Sequence, residues 1–310
     1  MKTLAEAAID LPWLAPSVAS LTTLARFQLP SVWTQVRPDP GMVVLSAQFL
    51  DASAPLDIAL LESVLRHQDH FHLGFVDWNQ PGPDYVYRTC YRQALLASQL
   101  AEKIGGDSRR AWIAGFLAPL GWLALAATDP AKIAHDLQLL QTEPDASAWQ
   151  RQVWGRDHTA LVRRLSRAWH LPAWLAPLLG HLGLNANIAG RLGAEPQLFR
   201  IVQLSVLLMQ ERGHGLGLPV GAVQEDLLNE LNLNGTAVEI IADAAVQAPL
   251  PTQTWEAPAK HALLPDLLRL ALENRRQGDA ARIERLQQNL DQLQEVLTQQ
   301  QVEEKSRLQT

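Results

Sequence analysis

Three stretches of the chain hold residues whose types and spacing could do chemistry. His67-Gln68-Asp69-His70-Phe71-His72 offers three imidazoles and a carboxylate, donors of the kind that hold a transition metal. Donors so close together on one short segment rarely converge on a single ion, and no second ligand set accompanies them. The segment therefore reads as a solvated loop between helices, with no metal assigned. Gly213-His214-Gly215-Leu216-Gly217 has the glycine density of a phosphate-cradling loop. It lacks the preceding strand and the following Lys-Ser/Thr pair, which makes it a helix terminator. Gln224–Ala245 has the outline of a helix-turn-helix around Asn232-Leu233-Asn234-Gly235, but its second half carries Glu239 and Asp243 and no cation to meet phosphates. It is expected to be the closing helical pair of a domain.

The elements that must position these residues are helical. Apolar residues recur at helical spacing, and strand-like alternation is nearly absent. Short helical runs from Leu11 to about Leu73 are broken by Pro12, Pro16, Pro30, Pro38, Pro40 and Pro55. Gly74 to Asp84, with two glycines and two prolines, is a loop. Longer helices are expected over 85–104, 108–127, 130–140, 147–169 (with a break near Gly155), 173–182, 197–211, 223–231 and 237–245. Ten tryptophans between Trp13 and Trp255 suggest heavy anchors between these helices. Pro, Thr, Gln and Ala then dominate 248–260, the composition of a linker. Leu263–Asn274 is amphipathic. Beyond it the apolar residues narrow to Ile283, Leu286, Leu290, Leu293 and Leu297, at spacings of 3, 4, 3 and 4. That is a coiled-coil seam; a lone amphipathic helix packed on the body would show a similar stripe. The resulting organisation is an N-terminal helical subdomain at 1–84, a helical core at 85–247, a linker at 248–262, and a helix with coiled-coil connector at 263–310.

A run of short motifs, in order, resembles the HDOD domain, a relative of the HD phosphohydrolases. Leu11-Pro12-Trp13-Leu14-Ala15-Pro16 is similar to the proline-marked start of that family. Arg37-Pro38-Asp39-Pro40-Gly41 resembles its turn before a helix, and Tyr87-Arg88-Thr89-Cys90-Tyr91 sits where a Trp-x-His-Ser stretch is common. Ala114-Gly115-Phe116-Leu117-Ala118-Pro119-Leu120-Gly121 is similar to its Ala-Gly-Leu-Leu-His-Asp-Ile-Gly helix. Trp154-Gly155-Arg156-Asp157-His158, then Trp169-His170-Leu171-Pro172, His181 and Ile201-Val202-Gln203-Leu204-Ser205 complete the series, which spans roughly residues 10 to 246.

The resemblance implies an all-α, HD-domain-like multi-helix bundle. It also implies a lost active site. Active HD enzymes hold divalent metal with a His, a His-Asp pair and a later Asp, which activate a water for attack on phosphorus. The corresponding positions here are Thr89, Ala118-Pro119 and Ser205 or Val206, so neither catalysis nor a metal or other cofactor is expected there. His158 and His181 are either remnants of a ligand pocket or imidazoles satisfying local hydrogen bonds. Leu263–Arg276 with the heptads resembles the connector of bacterial HDOD-containing sensor histidine kinases, in which case a kinase core would lie beyond Thr310. The expectation is a non-catalytic signalling module that forms a homodimer through the coiled coil. The alternatives are a residual metal-dependent phosphohydrolase or nucleotide-binding enzyme, and a scaffold that only dimerises.

Bulk properties narrow the partners. With 47% hydrophobic and 19% charged residues, the chain has the composition of a folded globular protein. A formal charge of −6 gives no basic footprint for nucleic acid. One cysteine, Cys90, excludes an internal disulfide and any CxxC site, in keeping with a reducing cytoplasm. The N-terminus lacks a signal-peptide core. Residues 111–127 come nearest to a membrane span, but they are too few, are interrupted by Pro119, and read as a buried helix.

Overall fold

The computed structural model describes residues 3–9, 13–14, 16–26, 29–49, 73–74, 76–141, 143–251 and 264–308. The His67–His72 cluster and most of the expected linker lie outside the described residues. The fold is all-α. Four short helices come first: α1 (Leu4–Ile9), α2 (Val18–Arg26), α3 (Leu29–Val36) and α4 (Pro40–Phe49). A two-residue parallel pairing joins β1 (Trp13–Leu14) to β2 (Leu73–Gly74). The central helix α5 (Pro81–Lys103) follows, with α6 (Ser108–Leu117), α7 (Leu120–Thr128) and α8 (Pro130–Leu140). The second half comprises α9 (Ala146–Trp154), α10 (His158–Ala168), α11 (Ala176–Gly180), α12 (Ala186–Arg191), α13 (Pro196–Glu211), α14 (Gln224–Glu230) and α15 (Gly235–Gln247). A long helix, α16 (Leu264–Leu308), closes the chain.

Helix starts follow from local chemistry. Asp107, Asp129, Asp145, Asp157, Asn185 and Asn234 each accept a backbone N–H of the first turn at 2.8–3.0 Å, satisfying donors that a helix leaves free. Pro81, Pro130 and Pro196 stand in first turns, where a missing N–H costs nothing. Asp39 does the same for α4 and also ties it to α2. Its carboxylate accepts from Met42 N at 3.2 Å and from Ser17 N at 2.7 Å.

The single helix expected over 108–127 is instead two, α6 and α7, bent by 49° at Ala118-Pro119. Proline has no N–H to continue the ladder, and its ring opposes the carbonyl a turn earlier. Helix α12 and the N-terminal α1 were not anticipated; each is a single short stretch with weak periodicity. No single helix among the described residues is long and apolar enough to cross a membrane. Most of the bent α6–α7 pair is buried inside the protein.

Helix α5 is the hub, packing against α6, α7, α8, α13 and α15. Tryptophans anchor the assembly as expected. Trp122 and Trp154 meet edge-to-face at 4.6 Å between ring centroids, and Trp149 packs on Trp154 at 5.5 Å. The indole N–H groups are bonded as well, Trp122 to the Leu216 carbonyl and Trp154 to the Asp136 carboxylate, each at 2.8 Å. Helices α14 and α15 pack on α13. Arg200 pairs with Glu230, and Arg212 bridges Glu239 and Asp243. The acidic residues that argued against DNA binding thus hold the closing helical pair to the body.

Helix α16 runs without a break through the amphipathic stretch and the heptads. Its N-terminal part packs against α2, with Ala271 fully buried and the Arg275 guanidinium donating to the Ala25 carbonyl.

Candidate functional site

The positions that resemble the metal ligands of HD enzymes lie on the central helices. Thr89 is buried on α5, Ala118 is fully buried at the α6–α7 bend, Pro119 precedes α7, and Ser205 is buried on α13. Helix α5 packs against α6, α7 and α13, and α6 packs against α13. The side chains there are a methyl group, a pyrrolidine ring and two neutral hydroxyls. The Ser205 hydroxyl is committed to the Val202 carbonyl at 2.8 Å, and the Pro119 carbonyl accepts from Trp122 N at 2.8 Å. Among the described residues, no three His, Cys, Asp or Glu side chains are grouped to hold a metal ion. The fully buried carboxylate Asp136 is occupied by Lys132 and by the Trp154 indole.

The helices pack closely here. A Cβ at Gly115 would lie 2.9 Å from both the Ala97 methyl and the Gln93 carbonyl, so α6 approaches α5 at glycine distance. Gln93, one turn after Thr89, is fully buried and its amide has no hydrogen-bond partner. Sequence reasoning passed over this residue. Its signal was an amide four positions from Thr89 on an otherwise apolar helix face.

His158 and His181 occupy different surroundings. His158 opens α10, where Asp157 caps the helix and the His158 N–H donates to Gln150 Oε1 at 2.8 Å. Its ring packs against α7, with Cδ2 only 2.8 Å from where a Cβ on Gly121 would sit. Burial lowers its pKa to about 4, so the ring is neutral at physiological pH. Its Nε2 has no protein hydrogen-bond partner.

His181 instead lines an open cleft of about 470 Å³ between α10, α11 and α12. Arg163, Arg167 and His170 form the basic side, with Ser166 at the wall. Leu171, Pro177 and Leu192 supply an apolar side. The lining includes neither His158 nor any of Thr89, Ala118, Pro119 and Ser205. Burial and the nearby Arg163 charge both lower the His181 pKa.

The glycine-rich stretch after α13 is a structural wrap. Gly213 and Gly217 adopt positive φ (75° and 59°), Tyr85 donates to the Gly213 carbonyl at 3.1 Å, and His214 lies 3.1 Å from Arg92. On α16, Ile283, Leu286, Leu290 and Leu293 are each more than half exposed. The helix continues through Leu297, whose side chain lies outside the described residues.

Residues 82–181 match the family model of the HDOD domain. The segment covers α5 to the end of α11, including the α6–α7 bend, His158 and His181. No curated protein matches the chain. Two solved structures are similar. One is the MmoQ response regulator from Methylococcus capsulatus str. Bath (15% identity, 77% of this chain and 99% of that one, TM-score 0.48). The other is a putative signal transduction protein from Marinobacter aquaeolei VT8 (19% identity, 77% of this chain and 57% of that one, TM-score 0.42).

Proposed function

We propose that this chain, which carries an HDOD domain at residues 82–181, is a non-catalytic regulatory module that relays a signal from its helical body through α16. The observation that carries this reading is the two-part character of α16. Ala271 is seated on α2, whereas Ile283, Leu286, Leu290 and Leu293 face solvent on the same continuous helix. A rearrangement of the body at α2 would therefore move the root of the apolar stripe. This is the kind of bistable coupling that helical relays use.

The occupant of the stripe is a second copy of this chain. A narrow 3–4 repeat with polar residues at the other positions suits a dimer seam better than burial on a broad apolar face. The absence of catalysis rests on Ala118-Pro119, which offer no side-chain donor where a metal enzyme of this plan needs two. The resemblance of Leu263–Arg276 and its heptads to kinase connectors supports an output domain of histidine-kinase type downstream. A cytoplasmic setting accords with this role.

Light scattering of the full chain tests the seam. The wild type is expected to be a dimer, and Leu290→Glu combined with Leu293→Glu is expected to give monomers with unchanged helicity of the body. A dimer that survives both substitutions would reject the seam.

A further inference from the structure

We propose that the cleft between α10, α11 and α12 is a binding site for a small phosphate-bearing molecule with an apolar or planar body. The proposal stands independently of the signalling role.

Arg163 and Arg167 are four residues apart and therefore project from the same side of α10. No carboxylate pairs with either guanidinium among the described residues; Arg167 Nε donates to the Arg163 carbonyl at 3.2 Å. Like charges at this spacing repel unless an anion sits between them. His170 and His181 face the same space, so four nitrogen-bearing groups and no acid line the cleft. This concentration of basic groups stands out in a chain of net charge −6.

A second observation points to a ligand. Ser166, on the same helix, is a lining residue that is only 5% exposed, and its hydroxyl is buried without a hydrogen-bond partner. A buried hydroxyl without a partner is costly, and a phosphate oxygen would satisfy it once the Ser166 side chain turns toward the cleft. The stem of Arg163 passes over Gly180, its Cγ lying 2.8 Å from where a Cβ on that residue would project. Guanidinium groups suit phosphate because their N–H donors match two oxygens at once.

The apolar part of the lining sets the rest of the ligand. Leu171, Pro177 and Leu192 form an apolar side, and Leu192 is 49% exposed. A cleft of about 470 Å³ is of small-molecule size. Bare phosphate would leave that side uncovered, whereas a phosphomonoester with a ring would cover it.

The test uses the full chain with inorganic phosphate and phenyl phosphate as probes, followed by the imidazole NMR resonances of His170 and His181. Both probes are expected to move these resonances, phenyl phosphate at the lower concentration. Arg163→Gln with Arg167→Gln should weaken binding at least ~10-fold, and Ser166→Ala should weaken it several-fold. Both arginines are exposed, so the double variant should keep the wild-type thermal midpoint, and a change in binding then reports the cleft. Resonances that stay fixed at millimolar phosphate and phenyl phosphate, or a double variant that binds as wild type does, would overturn the proposal. Equal affinity for the two probes would overturn its apolar part.

Discussion

His158 places an imidazole where an unfolded chain would gain a proton well before the folded one does. Its folded pKa is about 4, against 6.5 unperturbed. Above pH 6.5 both states are neutral there, and the group contributes no pH dependence. As pH falls from 6.5 towards 4 the unfolded state binds the proton alone, so stability declines, by up to roughly 3 kcal/mol. Urea titrations across this range should show the decline in the wild type and a shallower one in His158→Gln. Gly121→Ala probes the same contact from the other side. Its methyl would press on the His158 ring, and overpacking of this kind costs about 1–3 kcal/mol, read as a lower urea midpoint. Asp39→Ala removes a helix cap and the tie to Ser17, with an expected loss of about 1–2 kcal/mol by the same measurement. At this scale the sequence was partly legible. The Asp-Pro turn at 39–40 and the lost donors at Ala118-Pro119 are visible in residue identity alone. That His158 and His181 have separate surroundings, and that Arg163 and Arg167 share the cleft of His181, depends on tertiary packing no spacing rule conveys.

Helices declare themselves where caps and prolines bound them. The expected helix at 130–140 matches α8, framed by Asp129 and Pro130, and the break expected near Gly155 is present, with that residue at φ 83°. Pro119 is legible as an interruption of an apolar run but not as a 49° bend, because proline identity gives the break and not the direction in which the next helix packs. Trp154 joins elements distant in sequence: it packs on Trp122 of α7 and its N–H reaches Asp136 of α8. Trp154→Phe keeps most of the apolar contact but removes the donor to a fully buried carboxylate. A loss of about 1–3 kcal/mol is expected, measured by thermal or urea unfolding. Helix α16 was legible as a stripe; its seat on α2 was not, since Ala271 is a small residue whose burial only the fold reveals.

At the scale of the whole molecule, a packed helical body holds a long helix by its N-terminal part and leaves the apolar stripe beyond it in solvent. In α-helical geometry the 45 residues of α16 span roughly 67 Å, so the stripe can meet a second copy well away from the body. The sole cysteine makes a direct test practical. Cys90 is fully buried, and burial raises its thiol pKa well above the usual value, leaving it unreactive. The full chain carrying Leu290→Cys, oxidised at low protein concentration, should give a disulfide-linked dimer in high yield, because two copies of Leu290 face each other across the proposed seam. Asp291→Cys, one residue along and turned away from the stripe, should cross-link poorly. Equal cross-linking at the two positions, or none at Leu290→Cys, would contradict the account.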